Sequence, residues 1–177
     1  IEKFNSCPYL HFCDYILKLK ENDSSEINSM IIGNILHEFL KDAVFYTDKS
    51  VDWACTQLDK ILNKPEYDKF AKNKKNNYVI LALKDEVKRI FDVLQKQAGL
   101  SSFKPNKTEL KFVSDKPVFV SGDKKVFLTG IIDRIDYCKN GFRILDYKTG
   151  KVDFKNYNGI YYGNKMQVVV YLSIFSD

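Results

Sequence analysis

Asp133, Asp146 and Lys148 have the residue types and the spacing to hold a divalent cation beside a phosphate. They lie in LTGIIDRIDYCKNGFRILDYKTGK, Leu128 to Lys151, where two β-rich runs flank Asn140-Gly141. An Asn-Gly pair between such runs is a strong hairpin signal. A two-residue type I′ turn there predicts Lys139 opposite Phe142, Ile135 opposite Asp146 and Asp133 opposite Lys148. Opposed residues share a face of a hairpin, as do residues two apart along one strand. That register therefore puts Asp133, Asp146 and Lys148 on one side, with neighbouring side chains roughly 4.5–8 Å apart. Two acids and a lysine at that separation suit a metal and a phosphate and fit a dry core badly, because a buried charge must be paired or bound to metal. The opposite face receives Arg134, Asp136, Arg143, Leu145 and Tyr147, which can interact locally. A one-residue slip would send Asp133 to that other face.

Two further segments carry groups of the same chemistry. His37 lies on a helix whose apolar positions Ile31, Ile32, Ile35, Leu36, Phe39, Leu40 and Ala43 repeat with helical spacing. Gly33, one turn before it, leaves room for a ligand or a nucleic-acid backbone. Imidazole suits transition metals, and carboxylate oxygens suit Mg²⁺ or Mn²⁺. After the Asp-x-Lys strand comes a helix with Gln167 and Tyr171, four apart and so on one face.

The elements that must position these groups divide the chain into a mainly helical part, 1–100, and a sheet-bearing part, 105–177. Ser6 is the expected cap of a first helix running to about Leu19, with Pro8 in its first turn. LKLKENDSSEIN reads as a polar loop. Helices follow at about Asn28–Tyr46, Val51–Leu62 and Tyr78–Ala98, the last ended by Gly99. KFAKNKKNN, 69–77, reads as a lysine-rich loop or frayed segment, a solvated surface before a DNA-facing one. Strands are expected at Lys107–Val113, Pro117–Ser121, Val126–Tyr137 and Phe142–Lys148, with a turn at Gly122-Asp123. A Tyr- and Gly-rich loop, 156–163, precedes a last helix starting near Asn164.

At 177 residues the chain is expected to form one domain with a sizeable core. Its start lacks a signal-peptide pattern, and no apolar run approaches a membrane span. We expect a piece of a larger protein, acting in the cytoplasm. The net charge of +5 permits a polyanionic partner without demanding one. Only three of the 28 cations are Arg, so lysine clusters say little and Arg134, inside the acidic motif, says more. Cys13, Cys55 and Cys138 read as reduced thiols, with no zinc-knuckle spacing.

GNILHEFL, LTGIIDRID, ILDYKTGK and MQVVVYL, in this order, resemble the RecB-like branch of the PD-(D/E)xK nucleases. With the opening CPYLHFCDYILKLKE, the chain is similar to the nuclease domain of the B subunit of AddAB/RexAB-type helicase–nucleases, over about Phe4 to Leu172. The resemblance implies an α/β restriction-endonuclease-like core, with a mixed central sheet flanked by helices and an N-terminal helical section. It implies a metal-dependent DNA nuclease of break repair, with DNA and an AddA/RexA-like subunit as partners and no membrane. His37, Asp133 and Asp146 would be the ligands of Mg²⁺ or Mn²⁺, joined by the backbone carbonyl of Tyr147. Lys148 would be the catalytic lysine, and Gln167 and Tyr171 would contact the DNA backbone and support the site, with Arg134 beside them. Glu109 stands where the superfamily often has an acid, and equally reads as a solvent-facing residue of an alternating strand. Cys7 matches the first ligand of a [4Fe-4S] cluster expected only in the full-length parent, and no cluster is expected in this chain. The alternatives are a stand-alone or CRISPR-associated RecB-like nuclease, and a non-catalytic DNA-end-binding module on the same fold.

Overall fold

The helical half is held together by interleaved apolar faces, and a helix edge left over from that packing carries His37. The computed structural model describes residues 2–19, 29–117, 119–150 and 167–175. Its helices are α1 (Glu2–Ser6), α2 (Pro8–His11), α3 (Ser29–Ala43), α4 (Val51–Leu62), α5 (Asp68–Lys72), α6 (Asn77–Leu100) and α7 (Gln167–Phe175). Its strands are β1 (Lys104–Val113), β2 (Phe119–Ser121), β3 (Lys124–Val126), β4 (Thr129–Cys138) and β5 (Gly141–Leu145). The chain divides into two units: one of 24–112 with 129–147, the other of 1–23, 113–128 and 148–177.

In the larger unit, Ile35, Phe39 and Ala43 of α3 bury against Leu58 of α4 and Val87 and Phe91 of α6. Phe39 and Trp53 both set their rings against Phe91, at 6.5 and 5.5 Å between centroids. Each such side chain contributes about 1.5–3 kcal/mol by leaving water. Ser50 caps α4, its hydroxyl accepting from the Trp53 amide. The sheet has the strand order β1-β4-β5, with β4 and β5 antiparallel and Ile132 and Ile135 fully buried. Three expectations are corrected here. The lysine-rich segment is not a loop: Phe70, 2% exposed, draws it into α5 and a following 3₁₀ turn, and buried Asn76 donates to the Phe70 carbonyl. Helix α6 runs through Gly99 to Leu100.

The hairpin register is the third correction. Cys138 pairs with Gly141, Tyr137 with Phe142 and Asp136 with Arg143, so the turn is Lys139-Asn140. Neither turn residue takes the positive φ that a type I′ turn needs. The reason is electrostatic: this register sets fully buried Asp136 directly against Arg143, whereas the expected one would have set it against Leu145. The shift is two residues along the ladder, so the division of side chains between faces survives. Strand β5 ends at Leu145, short of the expected Lys148.

In the smaller unit, Pro8 opens α2 and Cys7, not Ser6, holds the cap position, while the Ser6 hydroxyl donates to Lys3 O. A π-helical turn, Phe12–Ile16, follows, so the expected single first helix is broken. The β2–β3 hairpin turns at Gly122-Asp123 as expected, with Gly122 at φ +56°. The expected loops at 20–28 and 156–163 and the start of the last helix lie outside the described residues.

Candidate metal centre

Helix α3 packs on β4, and this contact brings His37 to Asp133. His37 Nε2 lies 3.1 Å from the backbone carbonyl oxygen of Tyr147. A carbonyl only accepts, so we assign the ring proton to Nε2, and Nε2 donates. In the neutral ring, Nδ1 then presents a lone pair, and it faces Asp133 Oδ2 at 3.6 Å. That same carboxylate oxygen accepts from the Tyr147 amide at 2.6 Å. One peptide unit thus orients both groups, donating to the acid through its N–H and accepting from the imidazole through its C=O. A ligating histidine typically fixes its other nitrogen on a backbone carbonyl in this manner.

Glu109 completes the group. One ligating atom each from His37, Glu109 and Asp133 lie within 4.8 Å of one another. Donors at about 2.0–2.1 Å from Mg²⁺ stand about 3 Å apart when adjacent and about 4.2 Å when opposite, so a small closure brings the three into one coordination shell. The donor set is two carboxylates and an imidazole, which suits a divalent cation. A proton on Nδ1 or a bound cation would bridge His37 Nδ1 and Asp133 Oδ2, which face each other across 3.6 Å. Glu109 is also held at φ +51° in the middle of a strand. It interrupts the in-out alternation of β1, where 108, 109 and 110 are all half-buried. Left-handed backbone at a residue with a Cβ costs about 1–2 kcal/mol and collects at functional sites. Here it accompanies the placement of a carboxylate against the other two ligands.

The three groups line a cavity of about 390 Å³ with Asn34, Glu38, Lys41 and Ile131. Asn34, His37 and Lys41 are spaced i, i+3 and i+7, one face of α3. Sequence reasoning did not single out Asn34 or Lys41, although their spacing from His37 was legible. Glu38 is engaged on the side of the α4–α5 connection: Lys64 Nζ donates to one carboxylate oxygen and the Tyr67 hydroxyl to the other at 3.2 Å. Burial, then the Glu38 charge, pushes the Tyr67 phenol up to about 12.

The opposite face of the hairpin is closed on itself. Asp136, fully buried, accepts from Arg134 Nη2 and Arg143 Nε, each at 2.8 Å. Arg134 also reaches the Tyr147 hydroxyl at 3.4 Å. Burial lowers the Arg134 pKa, but the hydrogen bonds and charges of Asp136 and Tyr147 together outweigh it and the pKa is raised. Burial raises that of Tyr147, with Arg134 opposing. Arg134, 4% exposed, supports Tyr147 from beneath and does not reach the cavity.

The structure does not bring every candidate to one point. Asp146 is half-buried just past β5 and is not one of the three clustered ligands. The Tyr147 carbonyl, expected as a ligand, accepts from His37. Lys148 belongs to the smaller unit, where it donates to Gln167 Oε1 at 3.1 Å, and the Gln167 amide donates to the Tyr171 hydroxyl at 2.8 Å. Both ends of the Gln167 amide are thereby fixed. Cys7, Cys13, Cys55 and Cys138 are free thiols, and no group of metal-ligating side chains among the described residues includes one. No helix among the described residues is long and apolar enough to cross a membrane.

The family described as the PD-(D/E)XK nuclease superfamily matches residues 1–177. Among curated relatives, a protein of Clostridium tetani is 29% identical over 193 residues, covering 97% of this chain. One of Pelotomaculum thermopropionicum is 30% identical over 197 residues, covering 98%. One of Listeria innocua is 29% identical over 197 residues, also covering 98%. All three are named as the B subunit of an ATP-dependent helicase/deoxyribonuclease. The chain spans 17% of the length of each.

Proposed function

The chain belongs to the PD-(D/E)XK nuclease superfamily, and from that premise we propose that it is the DNA-hydrolysing domain of an ATP-dependent helicase–nuclease, working with an AddA/RexA-like subunit in the bacterial cytoplasm. The observation that carries the reading is that ligating atoms of His37, Glu109 and Asp133 lie within 4.8 Å of one another. The names of the relatives support the assembly and the substrate.

His37, Glu109 and Asp133 would hold Mg²⁺ or Mn²⁺, with Asp146 as a further acid of the site. A divalent cation there would supply an activated water and neutralise charge on the phosphoryl oxygens. The Tyr147 peptide keeps His37 and Asp133 turned toward that position. Lys148, two residues beyond Asp146 in the chain, orients the attacking water or stabilises the charge that grows on the phosphate. Gln167 accepts from its ammonium and restricts where it points. Tyr171 fixes Gln167, and this helix contacts the DNA backbone.

The test is cleavage of single-stranded DNA with Mg²⁺ by Asp133→Asn, Asp146→Asn and Lys148→Ala proteins. Each is expected to lose about 10²–10³-fold in rate, as for removal of a preorganised charge-stabilising group, with circular dichroism unchanged. Cleavage at the wild-type rate by Asp133→Asn and Lys148→Ala would rule the reading out.

A further inference from the structure

The cavity contains a cation that the metal-site reading does not use. Lys41 lies four residues after His37 on the same face of α3 and lines the same cavity. On a helix its natural partner would be Glu38, three residues before it. Glu38 is taken instead by Lys64 and Tyr67. Among the described residues, no carboxylate lies within ion-pair distance of Lys41.

The charges of the cavity then sum in an informative manner. Asp133 and Glu109 carry two negative charges, which one divalent cation cancels. Glu38 is offset by Lys64. Lys41 remains as the net positive charge facing the space where a substrate phosphate must enter. Its Cα stands about 6 Å along the helix axis from that of His37. This one-turn offset favours a phosphate next to the one at the metal over that phosphate itself.

We propose that Lys41 is a positioning residue that grips a non-scissile phosphate of the DNA strand, flanking the one to be cut. This rests on the nuclease reading above. It separates Lys41 from Lys148: Lys41 sets affinity and register on the strand, and Lys148 serves the reacting phosphate.

The experiment uses the full-length protein. Binding of a short fluorescein-labelled oligothymidylate is followed by anisotropy in EDTA between about 50 and 300 mM salt, and cleavage of the same strand is measured with Mg²⁺. Lys41→Gln is expected to weaken binding about five- to tenfold at low salt. Its log Kd against log salt plot should be shallower by about 0.7, the loss of one single-strand phosphate contact. KM should rise by the same factor with kcat within about twofold, and Lys41→Arg should restore both. A Lys41→Gln protein with the wild-type salt slope and KM overturns the proposal while leaving the nuclease reading intact. A wild-type protein that neither binds nor cuts the strand overturns both.

Discussion

The two faces of the β4–β5 hairpin carry similar residues and reach opposite outcomes. On one, Arg134, Asp136, Arg143 and Tyr147 satisfy one another, and Asp136 is shut away from water with two guanidinium partners. On the other, Asp133 meets Glu109 and His37 Nδ1 at the wall of a cavity. The first arrangement is complete without a ligand. The second has an excess of acceptors and calls for a cation. Tyr147 joins the two, its ring hydroxyl held by Arg134 and its peptide holding His37 and Asp133. A closed ion cluster on one face thus fixes an open one on the other.

The difference can be broken most forcefully at Asp136. Asp136→Ala leaves Arg134 buried and unpaired, which should cost about 3–5 kcal/mol. For a domain of this size that lowers the melting temperature by on the order of 6–20 °C. The counterpart on the open face should behave in reverse: Asp133→Asn keeps an acceptor for the Tyr147 amide and removes a repulsive charge, so its metal-free melting temperature should stay at or above wild type. Thermal melts of the two proteins side by side would settle whether the faces differ as described.

Added cation should produce the next largest effect. At about a hundred times its Kd, a ligand of the native state adds about 2.7 kcal/mol. Mn²⁺ should therefore raise the wild-type melting temperature by about 5–10 °C, and that of Asp133→Asn hardly at all. Glu109 offers a finer probe. Ala at φ +51° keeps the backbone strain while Gly relieves it. Glu109→Gly should thus melt later than Glu109→Ala, by about 1 kcal/mol, although both lose cleavage. Equal melting of the two would mean that no strain is held there.

The smallest effect concerns Tyr67, which helps to hold Glu38. Its phenol sits at about 12 in the fold against about 10.0 when unfolded. A raised pKa contributes stability that is fully present below about pH 10 and is lost as pH rises through about 12. Urea midpoints across that window should fall more steeply for wild type than for Tyr67→Phe.

Much of this was legible in the sequence because periodicity and chemistry agreed. The α3 stripe located His37, and strand parity put Asp133 and Arg134 on different faces whatever the exact register. The Asn-Gly signal misplaced the turn because a buried ion pair, Asp136 with Arg143, outweighed local turn preference. Glu109 could not be distinguished from a surface residue, since a left-handed residue inside a strand leaves no trace in the alternation of the sequence. The lysine-rich segment resembles a loop in composition because one aromatic, Phe70, decides its fate. Asn34 and Lys41 were visible at helical spacing from His37, but only the cavity gives that spacing a meaning.

The most direct measurement is where a cation binds. A crystal soaked in Mn²⁺ and measured at the manganese absorption edge should show an anomalous peak within about 2.0–2.3 Å of His37 Nδ1 and of Glu109 and Asp133 carboxylate oxygens. A peak bound elsewhere, or none at saturating Mn²⁺ with the three side chains still converging, would contradict the proposed metal site.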